Sequence, residues 1–169
     1  MEGFGFMADY ERIEQPFEPV YDQYSRILIL GSLPSVKSRE NGFYYGHPQN
    51  RFWKVIAGIY GKDIPENILD KKGLLYKCRI AVWDVIESCE IKGSSDNSIK
   101  EVVTADLNTI LDRCAIEKIF ANGKTAGKLY NKFTKDKTGR DIIELPSTSP
   151  ANAAYSLEKL MIEWSVIKD

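Results

Sequence analysis

Four short apolar runs constrain this chain more than any other feature of its 169 residues. They are Arg26-Ile27-Leu28-Ile29-Leu30-Gly31, then residues 79–85 (RIAVWDV), 117–123 (EKIFANG) and 141–146 (DIIELP). None alternates apolar with polar, as a strand with one wet face would. Each reads as a strand buried on both sides, the habit of parallel sheets. Helical spacing fills the intervals. Phe52, Val55, Ile56 and Ile59 share one face of a helix ending near Gly61. Residues 65–76 read as a second helix, with Pro65 near its start. A third spans 104–114, with Thr104 as N-cap and Leu107, Ile110 and Leu111 facing inward. A fourth spans 125–133. The last covers 151–167, with Leu157, Leu160, Met161 and Trp164 as a core stripe. Strands alternating with helices predict an α/β fold: three αβα layers around a central four-stranded, mostly parallel sheet. We expect a single domain over 23–169 and an N-terminal extension, 1–22, packed against it. Met7 is a second candidate start.

In such sheets, ligands gather beyond the carboxyl ends of strands. Functional suspicion therefore falls on residues 31–35, 84–87, 122–124 and 146–151. Residues 92–100 (KGSSDNSIK) read as a surface loop. The net charge of −1 excludes a polycation, so any nucleic acid must be met by local basic patches. Three scattered cysteines make neither a disulfide framework nor a cysteine quartet for an iron–sulfur cluster. No apolar run approaches the roughly 18 residues that span a bilayer. The first residues lack the basic start of a secretory signal, so the cytosol is the default.

The stretch 28–53, LILGSLPSVKSRENGFYYGHPQNRFW, carries the richest chemistry. Gly31 permits a tight turn, and amides from Ser32, Leu33 and Pro34-Ser35 could meet a phosphate or a base carbonyl. Phe43, Tyr44 and Tyr45 are either core plugs or stacking platforms for a base. His47 is either an acid–base group or a hydrogen-bonding loop residue. Asn50 stands just before a helix, where it either caps that helix or holds water or a base edge. Ser147, Thr148, Ser149, Pro150 and Ala151 follow the last strand; they cap a helix or bind phosphate. Lys124, Lys128 and Lys132 fall on one helix face, and Lys37, Arg39, Arg51 and Lys54 surround the aromatic loop. Together they offer a positive rim for a phosphodiester. No Ser-His-Asp set, metal motif or glycine-rich phosphate cradle is present, and the first turn lacks a carboxylate. We expect neither metal nor cofactor.

With these residues in place, the chain resembles the uracil-DNA glycosylase superfamily, and within it the hypoxanthine-DNA (deoxyinosine) glycosylase branch. The likeness rests on residues 28–35, on Tyr45-Gly46-His47-Pro48-Gln49-Asn50-Arg51-Phe52-Trp53, and on residues 145–152. The mismatch-specific uracil/thymine branch shares the His-Pro-x-Asn-x-Phe-Trp segment but carries an asparagine where this chain has Leu33. The resemblance implies a monofunctional enzyme that hydrolyses the N-glycosidic bond of a flipped, deaminated base. It places the catalytic role on Asn50 and the base pocket on Gly31, Ser32, Leu33, Pro34, Tyr45, His47 and Phe52. Main chain at Ser32 and Leu33 would read the polar edge of the base, with Tyr45 stacked on its face. Contacts to DNA fall to Asn122, Lys124, Ser147, Thr148, Ser149, Pro150 and Ala151, with residues 148–151 filling the gap in the duplex. The implied partner is double-stranded DNA containing a deaminated base, with single-stranded DNA as a second candidate and no membrane. A monomer in the cytoplasm, joining the nucleoid during repair, would suffice. The competing readings are a mismatch-specific uracil/thymine glycosylase, a catalytically silent DNA-binding module, and a flavodoxin-like nucleotide binder.

Overall fold

The computed structural model describes residues 9–169; the alternative start at Met7 lies outside them. All four apolar runs form strands: β2 (Ile27–Gly31), β3 (Ile80–Asp84), β6 (Lys118–Asn122) and β7 (Ile142–Leu145). They pair in the order β3-β2-β6-β7, every pairing parallel. Alternate residues along each strand feed opposite faces. Ile29, Val82 and Phe120 face a core built with helices α2 (Phe52–Tyr60), α3 (Ile68–Lys77) and α7 (Leu157–Trp164). Leu28, Leu30, Ala81 and Ile119 face the other, with Ile110 of α4 (Asn108–Leu111) and Tyr130. Burial on both sides explains why these strands read as unbroken apolar runs.

From β2 the chain moves to one side to form β3, then crosses to β6 on the other side. The switch point therefore lies between the carboxyl ends of β2 and β6, at Gly31 and Asn122.

A second sheet was not anticipated. It is antiparallel, in the order β1-β4-β5, from Glu11–Glu14, Ile86–Ile91 and Lys100–Thr104. Strand β4 is the direct continuation of β3 through Val85, whose N–H donates to the Gly31 carbonyl at 2.9 Å. Its periodicity was hidden because register shifts between Ile86 and Ser88, and between Ser88 and Glu90, interrupt the two-residue alternation. The loop between β4 and β5 covers 92–99, with a short 3₁₀ turn at Asp96–Ser98.

Helix boundaries also differ from expectation. Thr104 ends β5, and α4 has only four residues, with Leu107 at its N-cap and no side-chain cap. The fourth helix starts at α5 (Lys124–Leu129), passes through a π-helical segment at Tyr130–Thr134 and ends as α6 (Lys135–Thr138). The last helix begins at Leu157 because the Ser156 hydroxyl caps the Lys159 N–H. Residues 147–156 are therefore a loop, held by side chains and not by a helix end. Helix α2 closes as expected at Gly61, which adopts a left-handed conformation.

Candidate active site

A cavity of about 450 Å³ opens at the switch point, within the size range of small-molecule pockets. It brings together Gly31, Ser32, Leu33, Pro34, Tyr45, His47 and Asn50 with Asn122, Lys124, Ser147, Thr148, Ser149, Pro150 and Ala151. Phe52 is not on its wall. That ring is fully buried and supports Tyr45 from behind, stacked at 4.1 Å between centroids.

The aromatic loop divides its labour. Phe43 and Tyr44 are core residues, and the Tyr44 hydroxyl donates to the Glu18 carbonyl at 2.8 Å. Tyr44 and Tyr45 both reach the cavity, and Tyr45 is the less buried of the two. Its φ of +53° lies in the left-handed region, which is costly for an aromatic residue. His47 Nδ1 accepts the Gln49 N–H at 3.0 Å, which leaves Nε2 to carry the ring's proton.

Asn50 is fixed by what its oxygen accepts. The Phe52 N–H, at 2.9 Å, and the Thr148 hydroxyl, at 2.9 Å, both donate to Oδ1. A backbone N–H can only donate, so it settles which end of the amide is oxygen. Among the described residues the amide nitrogen has no hydrogen-bond partner, and Asn50 lines the cavity. Asn50 thus caps the start of α2 and offers a donor to a ligand; the two roles do not exclude each other.

Thr148 is buried at the centre of this network, not at a loop tip. Its N–H donates to Asn122 Oδ1 at 3.0 Å, and Asn122 Nδ2 donates to its hydroxyl at 3.0 Å. Its carbonyl accepts the Arg51 N–H at 3.0 Å. Arg51 is not part of a phosphate-binding rim. Its guanidinium donates to the carbonyls of Ser149, at 2.9 Å, Asn152, at 3.0 Å, and Tyr155, locking the loop 147–155 onto α2. Arg39 turns inward too, to the Pro34 carbonyl at 3.2 Å, and Lys37 pairs with Glu40 at 3.6 Å. Of the expected basic rim, Lys37 and Lys124 are both exposed at the cavity edge, as is Ala151.

The carbonyls of the turn after β2 are engaged by the strand that continues from β3. Val85 and Ile86 N–H groups occupy the carbonyls of Gly31 and Ser32. The Leu33 side chain packs against Ile86, Cys89 and Ile91 of the antiparallel sheet, which accounts for an apolar residue there.

Sequence reasoning placed residues 84–87 under suspicion by position but gave the Asp84 carboxylate no role. Asp84, the last residue of β3, lies opposite Gly31 in the ladder and lines the cavity while only 3% exposed. Its Oδ2 accepts from Gln15 Nε2 at 2.8 Å. Burial raises its pKa to about 6, with Gln15 and the Gly31 backbone opposing the rise. A Cβ on residue 31 would stand 2.5 Å from Asp84 Oδ1 and 3.0 Å from the Tyr45 hydroxyl, so only glycine admits both. Burial and the Asp84 charge push the Tyr45 phenol upward. Asn122 also bears on that hydroxyl, yet its buried oxygen makes no hydrogen bond. The signal for Asp84 was its place at a strand's carboxyl end; attention to the first turn hid its role.

A parallel sheet with a cavity at its switch point, walled by an amide and an aromatic side chain, has the layout of an α/β protein that takes a small ligand beyond its strand ends. The chain belongs to the uracil DNA glycosylase superfamily, whose profile matches residues 18–168. It is 32% identical over 157 residues to a hypoxanthine DNA glycosylase of Methanosarcina acetivorans, covering 92% of this chain and 98% of that one. A hypoxanthine DNA glycosylase of Methanosarcina barkeri is 34% identical over 117 residues, covering 68% and 74% respectively. The solution structure of a candidate uracil DNA glycosylase from Methanosarcina acetivorans superimposes with a TM-score of 0.78. It has 31% identity and covers 92% of this chain and 96% of its own.

Proposed function

We propose that this chain is a monofunctional DNA glycosylase that excises hypoxanthine from deoxyinosine-containing duplexes. The observation that carries the reading is Asn50: its oxygen is locked by Phe52 N–H and Thr148, and the residue lines the cavity at the switch point.

The lesion nucleotide leaves the stack, at a cost of a few kcal/mol. Its base enters between Tyr45 and the turn after β2. As the C1′–N9 bond lengthens, positive charge grows on the sugar and negative charge on the base. Asn50 Nδ2 donates into that growing negative charge, the kind of preorganised stabilisation that costs no rearrangement at the moment of reaction. Water adds to C1′ and the base departs protonated, leaving an abasic deoxyribose. The sugar cation resembles that of other glycoside hydrolyses and draws on the substrate's own phosphates. Exposed Lys124 meets a phosphate at the mouth, and Pro150 with Ala151 fills the gap in the duplex. Thr148, Asn122 and Arg51 hold that loop and Asn50 in register. The enzyme acts as a monomer on duplex DNA, in the cytoplasm at the nucleoid.

An abasic-site assay with excess enzyme tests this on duplexes bearing deoxyinosine, uracil or mismatched thymine. Deoxyinosine should be cleaved fastest. Strong uracil excision with negligible deoxyinosine excision would overturn the substrate; salt-sensitive binding without any abasic product would overturn the activity.

A further inference from the structure

We propose that the loop 92–99 is a specificity wall of this site: a compact segment, latched across the cavity edge through Asp96 and Ser94, that sets the size of base the cavity admits. This inference rests on the deoxyinosine reading above and deepens it.

Position comes first. Residues 92–100 read as a surface loop in the sequence, yet Ser94, Asp96 and Ile99 line the cavity. Two side-chain hydrogen bonds hold the loop there. The Val36 N–H, at the start of α1 (Val36–Asn41), donates to Ser94 Oγ at 3.0 Å. The Thr125 hydroxyl, in the first turn of α5, donates to Asp96 Oδ2 at 2.9 Å. These two bonds close a circuit. Asn122, just before α5, bonds Thr148, and Thr148 bonds Asn50. The His47 N–H then donates to Ser38 Oγ at 3.3 Å, back on α1. The cavity edge is a ring of hydrogen-bonded segments, and the loop 92–99 is one of them.

Mechanics come next. The loop is tied within itself: the Lys92 N–H donates to Ser98 Oγ at 2.8 Å, and Ser98 Oγ donates to the Ser95 carbonyl at 2.7 Å. The Ser95 N–H donates to the Lys92 carbonyl at 3.1 Å. Both ends are pinned on one ring, because Lys92 Nζ lies 4.9 Å and Lys100 Nζ 3.9 Å from the centroid of Tyr10. Gly93 starts the bend at a φ of +58°. Residues 93–97 are exposed, so no buried side chain anchors the tip. Such a segment moves as a body about its pinned ends, and exposed hydrogen bonds hold it only modestly.

Selectivity follows from the contrast with the rest of the ring. Arg51 locks the loop 147–155, Asn50 caps α2, and Asn122 is held in the sheet. The loop 92–99 gives way before these do, so it decides how much room a base finds. Hypoxanthine is a bare two-ring purine. A base with a third ring needs the wall to draw back, which breaks the Thr125–Asp96 and Val36–Ser94 bonds. Each bond adds a factor of about five against the larger base.

The test compares duplexes carrying deoxyinosine and an etheno-bridged deoxyadenosine, a purine with a third ring, in single-turnover excision with excess enzyme. Asp96→Ala and Thr125→Val remove the same bond. Each should raise the etheno-to-inosine excision ratio about fivefold, the size of one exposed hydrogen bond. The double variant should gain no more than either single, because the two residues share that bond. Asp96→Asn keeps an acceptor oxygen for Thr125 and should recover most of the discrimination. A ratio unmoved from wild type in both single variants, zero included, would overturn the inference. So would a double variant whose gain is the product of the singles, or an Asp96→Asn variant as permissive as Asp96→Ala. If wild type releases no hypoxanthine from deoxyinosine duplexes, the glycosylase reading itself fails, and this inference fails with it.

Discussion

The two sides of the cavity are built on opposite terms. On one side, Asn50, Thr148, Asn122 and Arg51 exchange hydrogen bonds until only the Asn50 nitrogen and the buried Arg51 Nε stand out. On the other, a carboxyl and a phenol are buried together, and the phenol has no partner. Satisfied polar networks rigidify a site; buried polar groups left short are destabilising unless a ligand completes them. One side frames a single amide, and the other buries a phenol short of a partner.

The sharpest way to break this contrast is at Asn50. Asn50→Ala should lower the single-turnover rate on deoxyinosine by about 10²–10³-fold, the effect of removing one preorganised donor. Asn50→Asp keeps the oxygen that Phe52 and Thr148 need and removes only the donor. It should fold normally and lose rate to a similar degree. Full activity in Asn50→Asp would show that the nitrogen is not the working end.

The frame itself is tested at Arg51. Its guanidinium serves three carbonyls, so Arg51→Ala leaves partly buried acceptors unmet. A loss of about 3–4 kcal/mol, or roughly 10 °C in melting temperature, is expected. Arg51→Lys should recover only part of it, because an ammonium cannot fork across three acceptors. A melting temperature within a degree of wild type would mean that the loop 147–155 holds itself.

What the sequence made legible follows from period and position. Strands buried on both faces announce themselves as apolar runs, so β2, β3, β6 and β7 were readable, and with them the switch point at Gly31 and Asn122. The bulged β4 was not, because its period is broken. Residue types in the wall were readable as well, but not their allegiance. Arg51 looks like a phosphate ligand until its three carbonyls are seen. Thr148 looks like a loop tip until it is found buried. Asp84 is marked in the sequence by its place at a strand end, but its role is not, because its partners, Gly31, Tyr45 and Gln15, come from three distant segments. Side chains that serve the frame and side chains that serve the ligand have the same composition; only geometry separates them.

A smaller effect of opposite sign sharpens the side with the phenol. Asp84 titrates near 6 when folded, above its ordinary 3.8. A raised carboxyl pKa means that the folded state binds the proton more tightly. The resulting cost is absent below about pH 3.8, grows between there and pH 6, and is constant above. Two units correspond to about 3 kcal/mol. Asp84→Asn should therefore stabilise the protein at pH 7–8 by up to that amount, with the gain vanishing as pH falls through 6 toward 4. Denaturant titrations of both proteins across that range measure it. A gain that persists undiminished at pH 4 would mean that charge burial is not the cause.

The smallest effect discriminates best between the two kinds of buried hydroxyl. Tyr130 is fully buried, and its hydroxyl donates to the Arg140 carbonyl at 2.7 Å and lies 2.7 Å from the Thr138 hydroxyl; Tyr45 is partly buried, with only its hydroxyl oxygen shut off from solvent. Tyr130→Phe breaks made bonds and should cost about 1–2 kcal/mol. Tyr45→Phe breaks none and keeps the stack on Phe52, so its stability should stay within about 0.5 kcal/mol of wild type or rise slightly. If the Tyr45 hydroxyl is held for the base beside Asp84, the same variant should weaken capture of deoxyinosine DNA while leaving the melt untouched. A variant that melts like Tyr130→Phe and captures DNA like wild type would make Tyr45 part of the frame and erase the distinction between the two sides.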